Sequence, residues 1–146
     1  MAEVQWTKEQ RAAIEARGHT LLVSAAAGSG KTAVLVQRIL EQVLDQAHPC
    51  DVTDFLVVTF TRAAAGEMRE KMTRALYQEL GRQPNNRHLQ RQLTRIHLTQ
   101  ISTVHAFCVA MLRRYCTLRD LPPDFRVAEQ TEADAIRLEV FQNTLE

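Results

Sequence analysis

No apolar run in the 146 residues approaches the roughly 18–20 needed to cross a bilayer, and the longest, Phe55–Phe60, suits a buried strand. The opening residues Met1 to Trp6 lack a basic stretch followed by an apolar one, so no secretory leader is predicted. Cysteine is scarce and odd in number: Cys50, Cys108 and Cys116 form no CxxC spacing, which argues against a disulfide framework or a zinc site. A reduced, cytoplasmic setting is therefore expected. Five glycines and four prolines beside 45% hydrophobic and 24% charged residues exclude wholesale disorder. The length suits one domain or a piece of a larger protein, and neither internal repeats nor low-complexity segments occur.

The formal net charge of +1 hides an uneven distribution. Residues 1–61 carry five Lys/Arg against seven Asp/Glu, whereas residues 62–95 carry eight against three. Residues 96–119 add three arginines and no acid, and residues 120–146 hold two arginines against seven acids. The basic middle either attracts a polyanion or forms solvated helix faces; charge alone leaves both open. Fifteen of the eighteen cations are Arg, the side chain better shaped to fork onto phosphate.

Thr7-Lys8-Glu9-Gln10 has the spacing of a capping box, so a first helix is predicted from Thr7 to about Arg17, with Gly18 as a left-handed stop. Thr20–Ala25 (TLLVSA) predicts a short strand. A helix from Lys31 to about Ala47 would place Val34, Leu35, Ile39, Val43 and Leu44 on one stripe. Phe55–Phe60 predicts a parallel strand buried on both faces. Helices follow over Arg62–Leu80 and Arg87–Ile96, then a strand over Gln100–Val104 and a helix over His105–Cys116. Pro122 and Pro123 break the chain, and Thr131 is placed to cap a last helix that reaches Glu146 without a stop signal. The order implies an α/β fold, a parallel sheet flanked by helices, and the unterminated last helix suggests a fragment.

The strongest chemical signal is Ala25-Ala26-Ala27-Gly28-Ser29-Gly30-Lys31-Thr32, between a β run and a long amphipathic helix. It matches G-x-x-x-x-G-K-[ST] except for Ala25 in the first position. Gly28 and Gly30 would let a phosphate approach the backbone, and successive amides at the helix start would face the anion. Lys31 would bridge the β- and γ-phosphates of ATP, and the Thr32 hydroxyl would ligate Mg²⁺. Hydrolysis also needs an acid at the end of another strand, and no Asp-Glu pair follows any apolar run; Asp54 precedes its strand. The fragment is accordingly expected to bind ATP without turning it over. A P-loop alone is shared by many enzymes. The alternatives are a small-molecule kinase, which would need a substrate lid and an acid not evident here, and a non-catalytic ATP- or DNA-binding piece.

Three further segments resemble superfamily 1 DNA helicases of the UvrD/Rep/PcrA type. Trp6–Ile14 (WTKEQRAAI) is similar to their Q motif, Thr59–Met68 (TFTRAAAGEM) to motif Ia, and Ile101–Phe107 (ISTVHAF) to motif Ib. The alanine-rich SAAAGSGKT loop, FTRAAAGEMREKM, ISTVHAFC and the Leu121–Thr131 stretch resemble most the AddA branch, the helicase–nuclease subunits of bacterial AddAB recombination complexes. Ala33 stands where many UvrD-type members carry Arg.

The resemblance implies a P-loop NTPase (RecA-like) fold, with residues 1–116 the incomplete N-terminal portion of the first motor domain and 117–146 the start of a helical insertion. It implies that Gln10 reads the adenine edge, besides its capping role, and that Thr59, Phe60, Thr61, Arg62, Thr103 and His105 meet single-stranded DNA. Taken alone, Phe60 closes an apolar run and reads as core, Thr61 as a helix cap and His105 as a structural residue. Phe107 and Met111 at helical spacing read as core, and Cys108 and Cys116 as buried thiols. The implied activity is an ATP-dependent 3′-to-5′ DNA helicase and nuclease in double-strand-break repair and recombination, acting on single- and double-stranded DNA with an AddB-like partner and no membrane.

Overall fold

A computed structural model describes residues 5–145, which fall into two units, the first ending at Phe107 and the second beginning at Cys108. In the first unit Thr7 caps helix α1 (Lys8–Glu15) through a reciprocal box: its hydroxyl accepts from the Gln10 amide at 3.2 Å, and Gln10 Oε1 accepts from the Thr7 amide at 3.0 Å. The helix ends before Arg17, and Gly18 takes the left-handed conformation (φ +74°). Helix α2 (Lys31–Val43) stops short of Ala47, because the Asp45 carboxylate accepts from the amides of Ala47 and His48 at 2.8 and 2.9 Å and turns the chain.

A short 3₁₀ turn (Val52–Asp54) leads into strand β1 (Leu56–Thr59), helix α3 (Arg62–Arg82), helix α4 (Arg87–Arg95), a second 3₁₀ turn (Ile96–Leu98) and strand β2 (Gln100–Thr103). Helix α3 runs through Gly81 rather than stopping there, and Asn86 starts α4 by accepting from the amides of His88 and Leu89. The strands pair in parallel, with Val57 opposite Ile101 and Thr59 opposite Thr103.

Val57 and Ile101 share the face that packs on Ala65, Met68, Met72 and Leu76 of α3, with Val36, Ile39 and Val43 of α2 completing the cluster. The α3 positions recur every three or four residues, the period that puts them on one side of a helix. On α2 the stripe turns on Val36 rather than Leu35, which is 38% exposed.

Two expectations fail for one physical reason, that a strand exists and is covered only through its neighbours. The segment 20–25 forms no strand: Leu21, Leu22 and Val23 lie exposed, and β1 is hydrogen-bonded only to β2 among the described residues. The sheet is therefore two-stranded. Likewise β1 is buried on one face only. Val57 is buried, but Leu56 and Val58, on the face opposite the core, are 49% and 42% exposed.

Two polar side chains lock the connections. Gln92 is fully buried; its Oε1 accepts from the Val52 amide at 2.8 Å and its Nε2 donates to Asp51. Arg69 of α3 donates to the carbonyls of Ile96, Thr99 and Ile101 at 3.2, 3.3 and 3.1 Å, fixing the entry to β2.

Helix α5 (Val104–Arg114) begins in the first unit. Phe107 and Met111 on it are half-buried rather than core, and Cys108 is exposed, whereas Cys116 is buried as expected. In the second unit Asp120 adopts a left-handed conformation after the turn Cys116–Arg119, and Arg126 forks onto Glu132 at 2.6 and 2.7 Å. Helix α6 (Gln130–Leu145) starts one residue before Thr131, so that threonine lies inside the first turn instead of capping it.

Candidate nucleotide and nucleic-acid site

Residues 25–29 are solvent-exposed, and the Ser29 amide donates to the Ala26 carbonyl at 3.3 Å to close the turn. Gly28 (φ +79°) and Gly30 (φ +84°) sit in the left-handed region, where a Cβ would strain the backbone. Gly30 is the N-cap of α2, so the unpaired amides of the helix's first turn open beside the loop. The Lys31 amine folds back on the loop and donates to the carbonyls of Ala25 and Ala26 at 2.6 and 2.7 Å. Thr32 is half-buried in the same first turn. Gln10 joins the first predicted motif to this loop, its Nε2 donating to the Ser29 carbonyl at 3.2 Å. The exposed stretch Ala25–Ser29, Gly30, Lys31, Thr32 and Gln10 thus lie together.

The second group of predicted residues clusters at the carboxyl end of the sheet. Thr59 stands opposite Thr103, and both chains turn directly into helices. The Thr59 hydroxyl donates to the Thr61 carbonyl at 2.9 Å, Thr61 Oγ1 accepts from the Ala64 amide at 3.1 Å, and Thr103 Oγ1 accepts from the Ala106 amide at 3.2 Å. These three hydroxyls shape the strand-to-helix turns. Phe60 is 95% exposed, against the core reading of its apolar run, because it lies one residue past the last paired position of β1. Arg62 and His105 are exposed at the same edge.

The two groups share no sheet, since the segment before the loop is not a strand. They are linked through the packing of α2 on α3. Three structural cations escaped the sequence reading: Arg69, Arg95 and Arg38. Arg38 Nη1 donates to the Ala13 carbonyl at 2.7 Å and pins the end of α1 to α2. Burial and then the neighbouring Arg17 charge lower the Arg38 guanidinium from its ordinary value. An arginine on a helix looks solvated in sequence, and nothing in its spacing marks a distant partner. Among the described residues no group of three His, Cys, Asp or Glu side chains is arranged to hold a metal ion.

The model of the UvrD/REP helicase N-terminal domain matches residues 6–146. The chain is 47% identical over 146 residues to the ATP-dependent helicase/nuclease AddA of Clostridium novyi, and 49% identical over 146 residues to that of Desulforamulus reducens. It is also 47% identical over 145 residues to the protein of the same name from Lysinibacillus sphaericus. These matches cover 99–100% of this chain but only 12% of each relative, so the chain spans about an eighth of their length. With an α/β unit, a parallel strand pair and this match over nearly the whole sequence, the chain belongs to the UvrD/REP helicase N-terminal domain family.

Proposed function

We propose that this chain is the ATP-binding opening portion of an AddA-type, ATP-dependent DNA helicase/nuclease that works with an AddB-like partner in double-strand-break repair and recombination. The observation that carries the reading is the exposed loop at the start of α2, with Gly28 and Gly30 left-handed and the Lys31 amine at its mouth. The names of its relatives, ATP-dependent helicase/nuclease subunits, support the activity class.

On this reading a triphosphate replaces the loop carbonyls as partner of the Lys31 amine, while free amides of the first turn of α2 donate to its oxygens. Gln10 would meet the adenine edge, and its bond to the Ser29 carbonyl supports a role beside the loop. Thr32 offers one hydroxyl oxygen, which fits a magnesium ion held mainly by phosphates and water rather than by a protein cage. When bound, that ion neutralises charge developing on the phosphates. At the strand ends Phe60 offers a stacking face, worth about 1–3 kcal/mol per base. Arg62 and His105 offer charge and hydrogen bonds to a phosphate backbone, and the Thr59, Thr61 and Thr103 turns hold these groups in place.

Neither strand is followed directly by a carboxylate, β1 leading to Phe60-Thr61-Arg62 and β2 to Val104-His105. The chain by itself is therefore expected to bind ATP without multiple turnover. The decisive experiment is Lys31→Ala in the full-length parent protein. Loss of DNA-stimulated ATP hydrolysis is expected, and undiminished hydrolysis would refute the role of the loop.

A further inference from the structure

Residues 62–95 hold eight cations and three acids, and the structure shows which cations are spent internally. Lys71, Arg74 and Arg82 pair along α3 with Glu67, Glu70 and Glu79, which uses all three acids. Arg69 is committed to backbone carbonyls and Arg95 to Asp51. Among the described residues this leaves Arg62, at the proposed DNA edge, and two arginines of α4, Arg87 and Arg91. These two are exposed and one helical turn apart, so their guanidinium groups project from the same side.

We propose that this outer face of α4 is a second phosphate-backbone contact for DNA, separate from the Phe60–His105 edge. Helix α4 contains no acid, and its remaining exposed side chains, Gln90 and Thr94, are polar. A protein-docking face of this size would need an apolar or aromatic anchor, and α4 keeps Leu89 fully inside the core and packs its other large apolar residue, the half-buried Leu93, against that core. Two forked cations with no counter-ion among the described residues and no apolar anchor suit a sequence-independent polyanion.

The face is also held rigidly in place. Asn86 caps the helix, Gln92 bonds the Val52 amide, and Arg95 pairs with Asp51. Gln92 and Arg95 tie α4 to residues that precede β1, and its far end runs through Ile96–Leu98 into the start of β2. Arg87 and Arg91 therefore belong to the amino end of the sheet, whereas Phe60 and His105 lie beyond its carboxyl end. A strand or duplex engaged at one end would find a second grip at the other.

The inference rests on the reading that the chain acts on DNA, and the test separates the two. Binding of labelled duplex and single-stranded oligonucleotides to the chain is measured over a range of salt concentrations, for the parent and for Arg87→Gln/Arg91→Gln. The slope of log affinity against log salt should fall by about 1.8 on duplex, or about 1.4 on single strands, if both arginines neutralise a phosphate. Arg87→Lys/Arg91→Lys should keep most of the parent slope, and thermal melting should match the parent in both variants, since neither arginine has a partner among the described residues. An unchanged slope in the glutamine variant, with parent binding intact, would overturn the α4 contact and leave the functional reading standing. Equal loss of binding to a polyglutamate peptide and to DNA would reassign the face to an acidic protein partner. A parent chain that binds neither oligonucleotide would overturn both.

Discussion

The carboxamide of Gln10 binds two segments at once: Oε1 closes the cap of α1 at the Thr7 amide, and Nε2 donates to the Ser29 carbonyl, 3.2 Å away, across nineteen residues. The first helix is thereby fastened to the glycine-rich loop before any ligand arrives. The same amide nitrogen lies 3.3 Å from where a Cβ on Gly30 would stand.

Two substitutions separate capping from tethering. Gln10→Glu keeps an oxygen for the Thr7 amide but cannot donate to Ser29, so α1 should survive while ATP affinity falls. Gly30→Ala forces φ +84° on a residue with a Cβ, at a cost of about 1–2 kcal/mol. Adding Gln10→Ala would relieve the contact but not the backbone strain, so most of the Gly30→Ala loss should persist in a double-mutant cycle read by calorimetric ATP binding. A fully rescued double variant would assign the defect to the side-chain contact instead.

Arg69 is expected to matter for stability and not for DNA. Replacing it with Met keeps most of the stem but strips charged hydrogen bonds from the carbonyls of Ile96, Thr99 and Ile101. Hydrogen bonds to charged groups contribute roughly 1.5–3 kcal/mol. Chemical denaturation should reveal a loss of that order, and hydrogen exchange should quicken at β2 amides before α2 amides.

The Asp51 carboxyl gives the fold an acid-sensitive clasp. Burial pushes its pKa up, but the amide and hydroxyl of Thr53, the Gln92 amide and the Arg95 charge outweigh that and hold it below the ordinary value. A depressed carboxyl stabilises the fold above its unfolded value of about 3.9, and the contribution is lost as pH falls through the lower folded value. Melting temperature should therefore decline on acidification below about pH 4, and Asp51→Asn should start lower and flatten that decline. Gln92→Leu, which leaves the Val52 amide buried without its acceptor, should cost about 1–3 kcal/mol, and because it also removes a donor to Asp51 a further part of the loss should disappear on acidification.

Thr99 carries a defect that can be repaired. The residue is 3% exposed, yet Oγ1 has no hydrogen-bond partner among the described residues. Thr99→Val has nearly the same shape and removes an unsatisfied buried hydroxyl, so it should be neutral or raise the melting temperature. A clear loss of stability would mean that the hydroxyl has a bound partner such as water.

Local rules made much of this chain legible. The reciprocal box at Thr7 and Gln10, the left-handed glycines at 18, 28 and 30, and the helices starting at Lys31, Arg62 and Arg87 follow from short-range spacing and turn chemistry. The grouping of Thr59 with Thr103 also follows, because parallel strands joined by a helical crossover place their carboxyl ends at one edge. Misreadings arose where an apolar run was assumed to be covered. Phe60 extends past the ladder into solvent, Leu22 is 92% exposed, and Leu56 and Val58 face away from the core. Hydrophobicity states a preference for cover, and a run of residues does not say whether a neighbour supplies it.

Sequence by itself determined the elements whose cause lies within a few residues: the Thr7 cap, the glycine-bearing loop and the starts of α2, α3 and α4. Only the tertiary structure decided what each cation does, because Arg38, Arg69 and Arg95 find partners 25 to 44 residues away while Arg87 and Arg91, on the same helix as Arg95, find none among the described residues. A guanidinium on a long flexible stem has no local preference strong enough to fix its partner. The fold supplies that partner by bringing distant carbonyls and a carboxylate within reach.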